Sequence, residues 1–265
     1  LEVTTHTLFA IGSCTKAFTT MILGMLVDEG KLDWDVPIRK YIPKFKMHDL
    51  FASERMTARD LTTHRSGLPR YDLVWYRAKG QTREELIEKL QYLEPNKDFR
   101  TVWQYQNLMY MTAGYLAETV TGQRWEQLVQ QRIFAPLGMT SSNISIHQTK
   151  QSSDFSLPYR KKKDAVIEIP FYGDEYFQAV APAGAINSNV MDMSAWMLLH
   201  LNKRKHGEQQ IISEAQLAQM HRTHMPMPAG GMSVPETEKS AEIMCTGYGL
   251  GWMTMSYRGH YKVSH

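Results

Sequence analysis

The chain has 265 residues, of which 43% are hydrophobic and 22% are charged. This composition is typical of a globular protein and excludes a disordered, fibrous or low-complexity chain. Thirty basic and 27 acidic residues give a formal net charge of +3, too small an excess to indicate a nucleic-acid partner. Two cysteines, Cys14 and Cys245, exclude a disulfide-dense scaffold and a four-cysteine zinc site, and leave open whether they pair.

The two ends of the chain predict a fragment of a longer protein. The chain begins at Leu1 rather than at Met, and it stops at His265, directly after an alternating run. Neither end carries a helix cap, a polar tail or a targeting segment, so we expect truncation at both ends. The absence of a signal peptide therefore indicates nothing about location. The longest apolar stretch, 17–27, is shorter than the roughly 20 residues that span a bilayer.

The N-terminal part alternates and then changes to helical spacing. Residues 5–12 predict a short strand that ends at Gly12. Apolar residues then recur three and four positions apart, which predicts a helix over 13–29 that Gly30 ends. Residues 33–51 carry no regular pattern.

Capping signals and periodicity predict a mostly helical middle. Two capping boxes begin at Thr57 and Thr82 and predict helix starts there, the first helix running through Thr63. Apolar periodicity predicts further helices over 107–121, 125–134, 189–201 and 213–221. Pro136 and Gly138 are expected to end the second of these.

The C-terminal part returns to alternation. Residues 160–169 predict one arm of a hairpin, and 248–257 and 260–265 predict two strands joined by a turn at 258–259. We therefore expect a single incomplete α+β domain over 1–265. Its antiparallel sheet would combine both chain ends, about 1–12 and 246–265, with a large helical region over about 13–245 inserted between them.

A candidate nucleophile lies at the start of the first long helix, in the motif S-x-x-K formed by Ser13 and Lys16. Residues three apart on a helix share a face, so the amine can take the serine proton if it is neutral. Burial and the helix dipole both lower a lysine pKa there, and free N–H groups can hold an oxyanion. A chain of this length contains about one S-x-x-K by chance, so the strand-to-helix context carries the argument.

Two further features fit the same chemistry. Tyr105 and Asn107 form a Y-x-N just before a predicted helix. The phenol can relay a proton, and the amide can orient a lysine or bind a substrate amide; taken alone, a core tyrosine and a helix cap explain the pair. The terminal strand ends at His265, and an edge strand beside a nucleophile can pair with a substrate backbone. Taken alone, this is a single histidine at a chain end.

Together these residues resemble the serine β-lactamase and penicillin-binding-protein superfamily, in the branch of class C β-lactamases, D-alanyl-D-alanine carboxypeptidases and related esterases and peptidases. The matching segments occur in family order across almost the whole chain. They are 8–16 (LFAIGSCTK), 61–69 (LTTHRSGLP), 105–107 (YQN), 182–184 (PAG) with Ser188, and 247–252 (GYGLGW).

The resemblance implies a role for each matched position. Ser13 would be the acylated nucleophile, Lys16 its base partner, Tyr105 the acid/base, and Asn107 a contact to lysine and substrate. His265 is similar to the first residue of the family's third motif, Lys or His, any residue, then Gly. The family's second oxyanion donor comes from residues that follow it, so we expect residues 1–265 alone to label poorly with active-site probes.

Two positions differ from the family pattern or add reactivity. Ala185 stands where the family often has glycine. Its Cβ would slightly narrow the site at this wall or require a negative φ at this position. Cys14, next to the nucleophile, is open to oxidation if exposed.

Three other features have a second interpretation. His221 and His224 lie among methionines (220, 225, 227 and 232) and could hold copper, but we interpret the segment as a loop near the site mouth. The basic run 160–163 could bind an acidic group, but we interpret it as a solvated turn. His64 is structural by the resemblance and is left out of the site.

We expect a serine hydrolase that forms an acyl-enzyme on Ser13 and cleaves an ester or amide, of the esterase or D-amino-acid peptidase type. A class C-type β-lactamase is the alternative within the family, and a non-catalytic scaffold or binding module is the alternative of another class. Whether Lys16 or Tyr105 is the base stays open, because coupled groups share the proton. We expect a small-molecule or peptide substrate, no metal or other cofactor, and no nucleic acid. The resemblance favours a periplasmic or extracellular location.

Overall fold

The computed structural model describes residues 2–76, 79–171, 173–202, 205–206, 209–227 and 243–265, with the backbone alone at 205, 206, 209 and 243–245. Within these ranges the helices are α1 (Thr15–Asp28), α2 (Leu50–Arg55), α3 (Ala58–Thr62), α4 (Arg83–Lys89), α5 (Asn107–Thr121), α6 (Trp125–Val129), α7 (Ala135–Leu137), α8 (Ile146–Thr149), α9 (Ala181–Gly184), α10 (Val190–Leu201) and α11 (Glu214–His221). The strands are β1 (Phe9–Ala10), β2 (Tyr159–Lys162), β3 (Ala165–Glu168), β4 (Asn187–Ser188), β5 (Lys205–His206), β6 (Gln209–Gln210), β7 (Met225–Pro226), β8 (Ile243–Tyr248), β9 (Met253–Tyr257) and β10 (His260–Ser264).

The core is built around α1. Residues 15–26 of this helix are buried on every side, as expected for a helix without a polar face. The helix packs against α5, α9 and α11. Phe18 stacks on Trp196 with ring centroids 3.9 Å apart and meets Phe134 edge-on at 6.0 Å. The first turn of α1, which carries Lys16, is thereby held rigidly inside the protein.

Local capping chemistry predicted several helix boundaries correctly. Both capping boxes form: Thr57 precedes α3 and Thr82 precedes α4. Helix α5 has the predicted bounds and ends at Gly122, whose φ of +70° is left-handed. Ahead of α1, residues Gly12–Cys14 form a separate 3₁₀ turn, so the nucleophile lies in a tighter turn than the predicted continuous helix.

The helix predicted over 125–134 does not end at Pro136. After α6 the chain continues through a π-helical segment, Gln130–Phe134, into α7. Proline has no N–H to donate, and a position in the first turn of a helix does not require one. Pro136 lies in the first turn of α7, and the helix ends at Gly138, at φ +67°, the second of the two residues expected to end it.

The sheets differ from the expectation in one respect. A four-stranded antiparallel sheet has the order β10-β9-β8-β7 and comes from the C-terminal part alone, whereas β1 pairs with β4. The Ile11 N–H also donates to the Ile186 carbonyl at 3.0 Å. In the described residues the two chain ends therefore lie in different sheets, because strand partners depend on tertiary packing. The α+β class itself is confirmed.

The segment predicted as one strand over 248–257 contains a turn. The chain reverses between β8 and β9, where the Gly249 N–H donates to the Trp252 carbonyl at 2.7 Å. Gly251 has a φ of +83°, and a Cβ there would lie 3.1 Å from the Lys16 carbonyl oxygen. Glycine at 251 thus lets the turn pack directly on the first turn of α1. The predicted arm over 160–169 is likewise a complete hairpin of β2 and β3.

Among the described residues, no helix combines the length and the apolar character needed to cross a membrane.

Candidate active site

The structure brings Ser13, Lys16 and Tyr105 together. Gly12 turns the chain with a φ of +53°, and Ser13 follows in the 3₁₀ turn ahead of α1. The Lys16 Nζ atom lies 3.0 Å from Ser13 Oγ. The Tyr105 hydroxyl donates a short hydrogen bond to the same Oγ atom. Two proton-transfer groups thus contact one hydroxyl.

Lys16 is completely buried and has three oxygen neighbours. Its Nζ lies 2.9 Å from Asn107 Oδ1 and 2.7 Å from the Ala183 carbonyl oxygen, besides its contact to Ser13. Burial is the main cause that holds the pKa of Lys16 well below its usual value, and the positive charge of Arg70 adds to it. The negative charge of Asp72 acts in the opposite direction.

The side-chain amide of Asn107 has a defined orientation. Its Nδ2 donates to Asp72 Oδ1 at 3.1 Å, and its Oδ1 accepts from Lys16. Because a carboxylate only accepts hydrogen bonds, the NH₂ end of the amide must face Asp72. The oxygen end must therefore face the amine, so Asp72 determines which atom of Asn107 meets Lys16.

Tyr105 is held by the residue that follows it. The Gln106 side chain caps α5 by accepting from the Leu108 N–H at 2.9 Å and donates to the Pro69 carbonyl at 2.6 Å. The Gln106 backbone N–H donates to His64 Nδ1 at 3.0 Å. His64 is buried, and its ring lies 4.5 Å from that of Tyr105. As the resemblance implied, this histidine has a supporting position behind the site.

Burial raises the pKa of Tyr105, although its hydrogen bond to Ser13 and the charge of Arg70 partly oppose this. The phenol therefore keeps its proton at neutral pH. Burial also lowers the pKa of His64 well below its usual value, with the Lys16 charge acting in the same direction. A neutral His64 can accept the Gln106 N–H at Nδ1, as observed.

Sequence reasoning missed Arg70 and Asp72. The Arg70 guanidinium lies 5.0 Å from the centre of the Tyr105 ring and pairs with Asp72 at 2.6 Å. Between them Tyr71 has a φ of +46°, a left-handed conformation that costs free energy in a non-glycine residue. Arg70 directly follows the matched segment 61–69 and Asp72 lies two positions further on. This closeness to a matched segment was the one signal in the sequence that could have indicated a place near the site.

Helix α9 forms the opposite wall of the site. The Pro182 carbonyl accepts from Thr19 Oγ1 at 2.7 Å, and the Ala183 carbonyl accepts from Lys16. Ala185 follows with a φ of −96°, which any residue adopts, so the Cβ at this position is tolerated. A cavity of about 190 Å³ lies here and contains Ser13, Asn107, Trp75, Phe177 and Val180 in its lining, together with residues of the α9 wall.

His265 lies at the edge of the site and does not contact Ser13. Its Nδ1 is 2.9 Å from the Gly251 carbonyl oxygen and 3.2 Å from the Tyr248 hydroxyl, and its ring is 6.5 Å from that of Tyr105. Burial is the main cause that lowers its pKa to about 4. Its carbonyl accepts from Cys14 Sγ at 3.4 Å, so the end of β10 reaches the nucleophile turn. Burial raises the pKa of the Cys14 thiol.

The other candidate features lie elsewhere. His221 Nε2 is 3.0 Å from His200 Nδ1, whereas His224 contacts Arg59 and the Gln219 carbonyl. In the described part of the chain no three His, Cys, Asp or Glu side chains gather in a way that could hold a metal ion. Methionine 232 and the side chain at 245 lie outside the described residues. The basic residues 160–162 are exposed on β2, and 163 is exposed in the turn that follows.

Comparison with known proteins identifies the family. The family model described as Beta-lactamase matches residues 1–264. The chain belongs to the beta-lactamase family. The family's β-lactamase/transpeptidase-like fold is also confirmed by solved structures. The octameric penicillin-binding protein homologue from Pyrococcus abyssi has 25% sequence identity and a TM-score of 0.78, over 100% of this chain and 57% of that one.

Two further proteins to which this chain is similar have names that describe an activity. The D-amino acid amidase from Ochrobactrum anthropi SV3 has 25% identity and a TM-score of 0.73, over 100% of this chain and 73% of that one. The unguisins hydrolase ungD' of Aspergillus campestris (strain IBT 28561) is 27% identical over 275 aligned residues, which cover all of this chain and 48% of the hydrolase. The chain thus spans about half the length of this curated relative.

Proposed function

We propose that this protein is a serine hydrolase that cleaves an ester or an amide through an acyl-enzyme on Ser13. The observation that carries the proposal is the hydrogen bonding of Lys16. A neutral amine has two N–H groups and one lone pair. Asn107 Oδ1 and the Ala183 carbonyl are both acceptors only, at 2.9 and 2.7 Å, so they take the two N–H groups. The lone pair is left for the Ser13 hydroxyl.

This arrangement favours Lys16 as the base. Its lowered pKa supplies a neutral amine, whereas the raised pKa of Tyr105 keeps the phenol protonated. In the proposed acylation, Ser13 Oγ bonds to the carbonyl carbon and its proton passes to Lys16 Nζ. The bond to the leaving oxygen or nitrogen then breaks. The leaving group takes a proton from Tyr105, which recovers one from Lys16.

Deacylation reverses the same transfers. A water molecule attacks the acyl carbon and gives its proton to Tyr105, which passes one to Lys16, and Ser13 Oγ leaves with a proton returned from Lys16. We propose the Ser13 N–H as one oxyanion donor. The end of β10, which contacts Cys14, lies where a strand can offer backbone groups to a bound substrate.

The relatives support hydrolysis of ester or amide bonds without identifying the substrate. One of these relatives is an amidase and the other a hydrolase. Since the chain covers about half of the curated hydrolase, we propose the reaction class alone, with an esterase or D-amino-acid peptidase preferred to a dedicated β-lactamase.

The test compares three substrates on the full-length protein: p-nitrophenyl butyrate, D-alanine p-nitroanilide and the chromogenic β-lactam nitrocefin. We expect turnover of the ester or the anilide and loss of about 10³-fold or more in Ser13→Ala. Cys14→Ser, which changes the neighbouring thiol and leaves the nucleophile intact, is the matched control and should retain turnover.

Two results would change the conclusion. Nitrocefin turnover faster than that of the other two substrates, and lost in Ser13→Ala, would make the protein a β-lactamase. No turnover of any substrate, together with no covalent labelling of Ser13 by a fluorophosphonate, would favour a non-catalytic scaffold.

A further inference from the structure

A second cavity of about 680 Å³ lies beside the catalytic cavity. The two cavities share three lining residues, Phe177, Gly184 and Ala185. Phe177, Gly184 and Ala185 therefore lie between the two cavities. The larger volume lies within the range of roughly 300–1,000 Å³ that is usual for small-molecule sites.

The catalytic cavity extends from Ser13 toward the acyl side of a bound substrate. In the proposed mechanism Tyr105 gives its proton to the leaving group, so the leaving group must lie near the phenol. The residues that line the cavity include Asn107 and Ala183, and among the described residues Tyr105 does not line it. The acyl group is thus the part of the substrate that points into this cavity and toward the residues that it shares with the second cavity.

Apolar residues form most of the surface of the second cavity. Most of the polar side chains in its lining have hydrogen-bond or ion-pair partners within the protein. Asp174 accepts hydrogen bonds from Ser145 Oγ and the Ile146 N–H, and Asn187 donates to Asn143. The Glu126 carboxylate pairs with Arg83 through Oε1 at 2.5 Å, whereas its Oε2 lies 3.4 Å from Arg124 Nε and makes no hydrogen bond to a described residue. The surface left for a ligand consists mainly of Ile144, Pro158, Ile169, Pro170, Phe171 and Phe177.

We propose that this second cavity binds an extended apolar group on the acyl side of the substrate. A substrate chain that reaches it from Ser13 must then pass beside Phe177 and Ala185, whose side chains limit the width available to it. This inference rests on the proposed function, because it takes the acyl group to be attached at Ser13. It assigns a substrate class, namely esters or amides whose acyl part reaches beyond the first few carbons.

The first test is a chain-length series of p-nitrophenyl esters, from acetate through butyrate to octanoate, in which the leaving group stays constant. Each methylene that leaves water on binding strengthens binding by about fourfold. If only two of the added methylenes reach the second cavity, kcat/KM should already rise at least about tenfold from the acetate to the octanoate ester. Ile169→Trp, which adds bulk to the cavity wall, should move the optimum to shorter chains and lower the ratio of kcat/KM for the octanoate ester to that for the acetate ester. Val166→Trp is the matched control, because residue 166 is 71% exposed on β3 of the same hairpin.

A second test does not require turnover. In Ser13→Ala, calorimetric titration should show that the p-nitrophenyl octanoate ester binds at least about tenfold more tightly than the butyrate ester. Adding Ile169→Trp to this variant should reduce the difference in affinity, and adding Val166→Trp should leave it unchanged. Absence of turnover together with this binding preference would overturn the proposed function and retain an apolar binding site. Turnover with kcat/KM independent of chain length, together with no binding preference, would overturn the inference that the second cavity binds the acyl group. It would leave the proposed function intact.

Discussion

Removal of the Asp72 carboxylate tests how the site controls its proposed base. The hydrogen bond between Asp72 Oδ1 and Asn107 Nδ2 is 3.1 Å long, and hydrogen bonds to charged groups contribute about 1.5–3 kcal/mol. The carboxylate is 31% exposed, so solvent screening favours the lower end, about 1.5 kcal/mol. If that energy orients Asn107 toward Lys16, then Asp72→Ala should lower kcat/KM about tenfold.

The pH dependence separates an electrostatic role from a purely structural one. A lysine base acts when neutral, so activity rises with pH through the pKa of Lys16. The Asp72 charge raises that pKa and the Arg70 charge lowers it. We therefore expect Asp72→Asn to move the acidic limb of the kcat/KM profile to lower pH and Arg70→Gln to move it to higher pH. Opposite shifts are the signature of charge acting on one common group.

The assay is kcat/KM for p-nitrophenyl butyrate between about pH 5 and 10, a window in which a lysine whose pKa lies well below its usual value of about 10.4 titrates. Glu54→Ala, which removes an exposed ion pair with Arg39, is the control and should leave the profile unchanged. Shifts in the same direction for both variants, or a loss of rate without any shift, would refute the electrostatic role of the pair.

Three further predictions concern stability. Asp60 is buried and accepts from two arginine side chains, so Asp60→Ala should lower the free energy of unfolding by about 3 kcal/mol in urea titrations; a change below about 1 kcal/mol would contradict this. His200, whose pKa burial lowers to about 3, pairs with His221. Below its usual pKa only the unfolded chain takes up this proton, so His200 alone should lower stability by about 2 kcal/mol between pH 6.5 and pH 5, in addition to what His64 and His265 contribute. His200→Gln should make the fall smaller by about that amount, and an unchanged pH slope would contradict this. A Cβ at Gly114 would lie 2.2 Å from Pro182 Cγ. Gly114→Ala should therefore displace the α9 wall and lower both the melting temperature and kcat. An unchanged kcat would contradict the role of α9 in holding the site.

Capping chemistry made much of the helical framework predictable from the sequence. A capping box is a local interaction between residues three apart, and those at Thr57 and Thr82 form as expected. The left-handed glycine at 122 ends α5 for an equally local reason. The spacing of Ser13 and Lys16 also fixes their proximity within one helical turn.

Long-range partners were not predictable in the same way. The pairing of β1 with β4 depends on how α9 packs on α1, and no pattern in residues 5–12 encodes it. The contact of Asp72 with Asn107 likewise joins a 3₁₀ turn to the start of α5, 35 residues further along the chain. The orientation of the amide, and hence the proton assignment at Lys16, becomes visible only when that contact is known.

The central claim is that the Ser13 hydroxyl is the nucleophile because Lys16 and Tyr105 both contact it. The most direct measurement is intact-mass and peptide-mapping mass spectrometry of the full-length protein after reaction with a fluorophosphonate. We predict one adduct, located on the peptide that contains Ser13, absent in Ser13→Ala and strongly slowed in Lys16→Ala. An adduct on a different residue, or one that forms equally fast without the amine, would contradict the account.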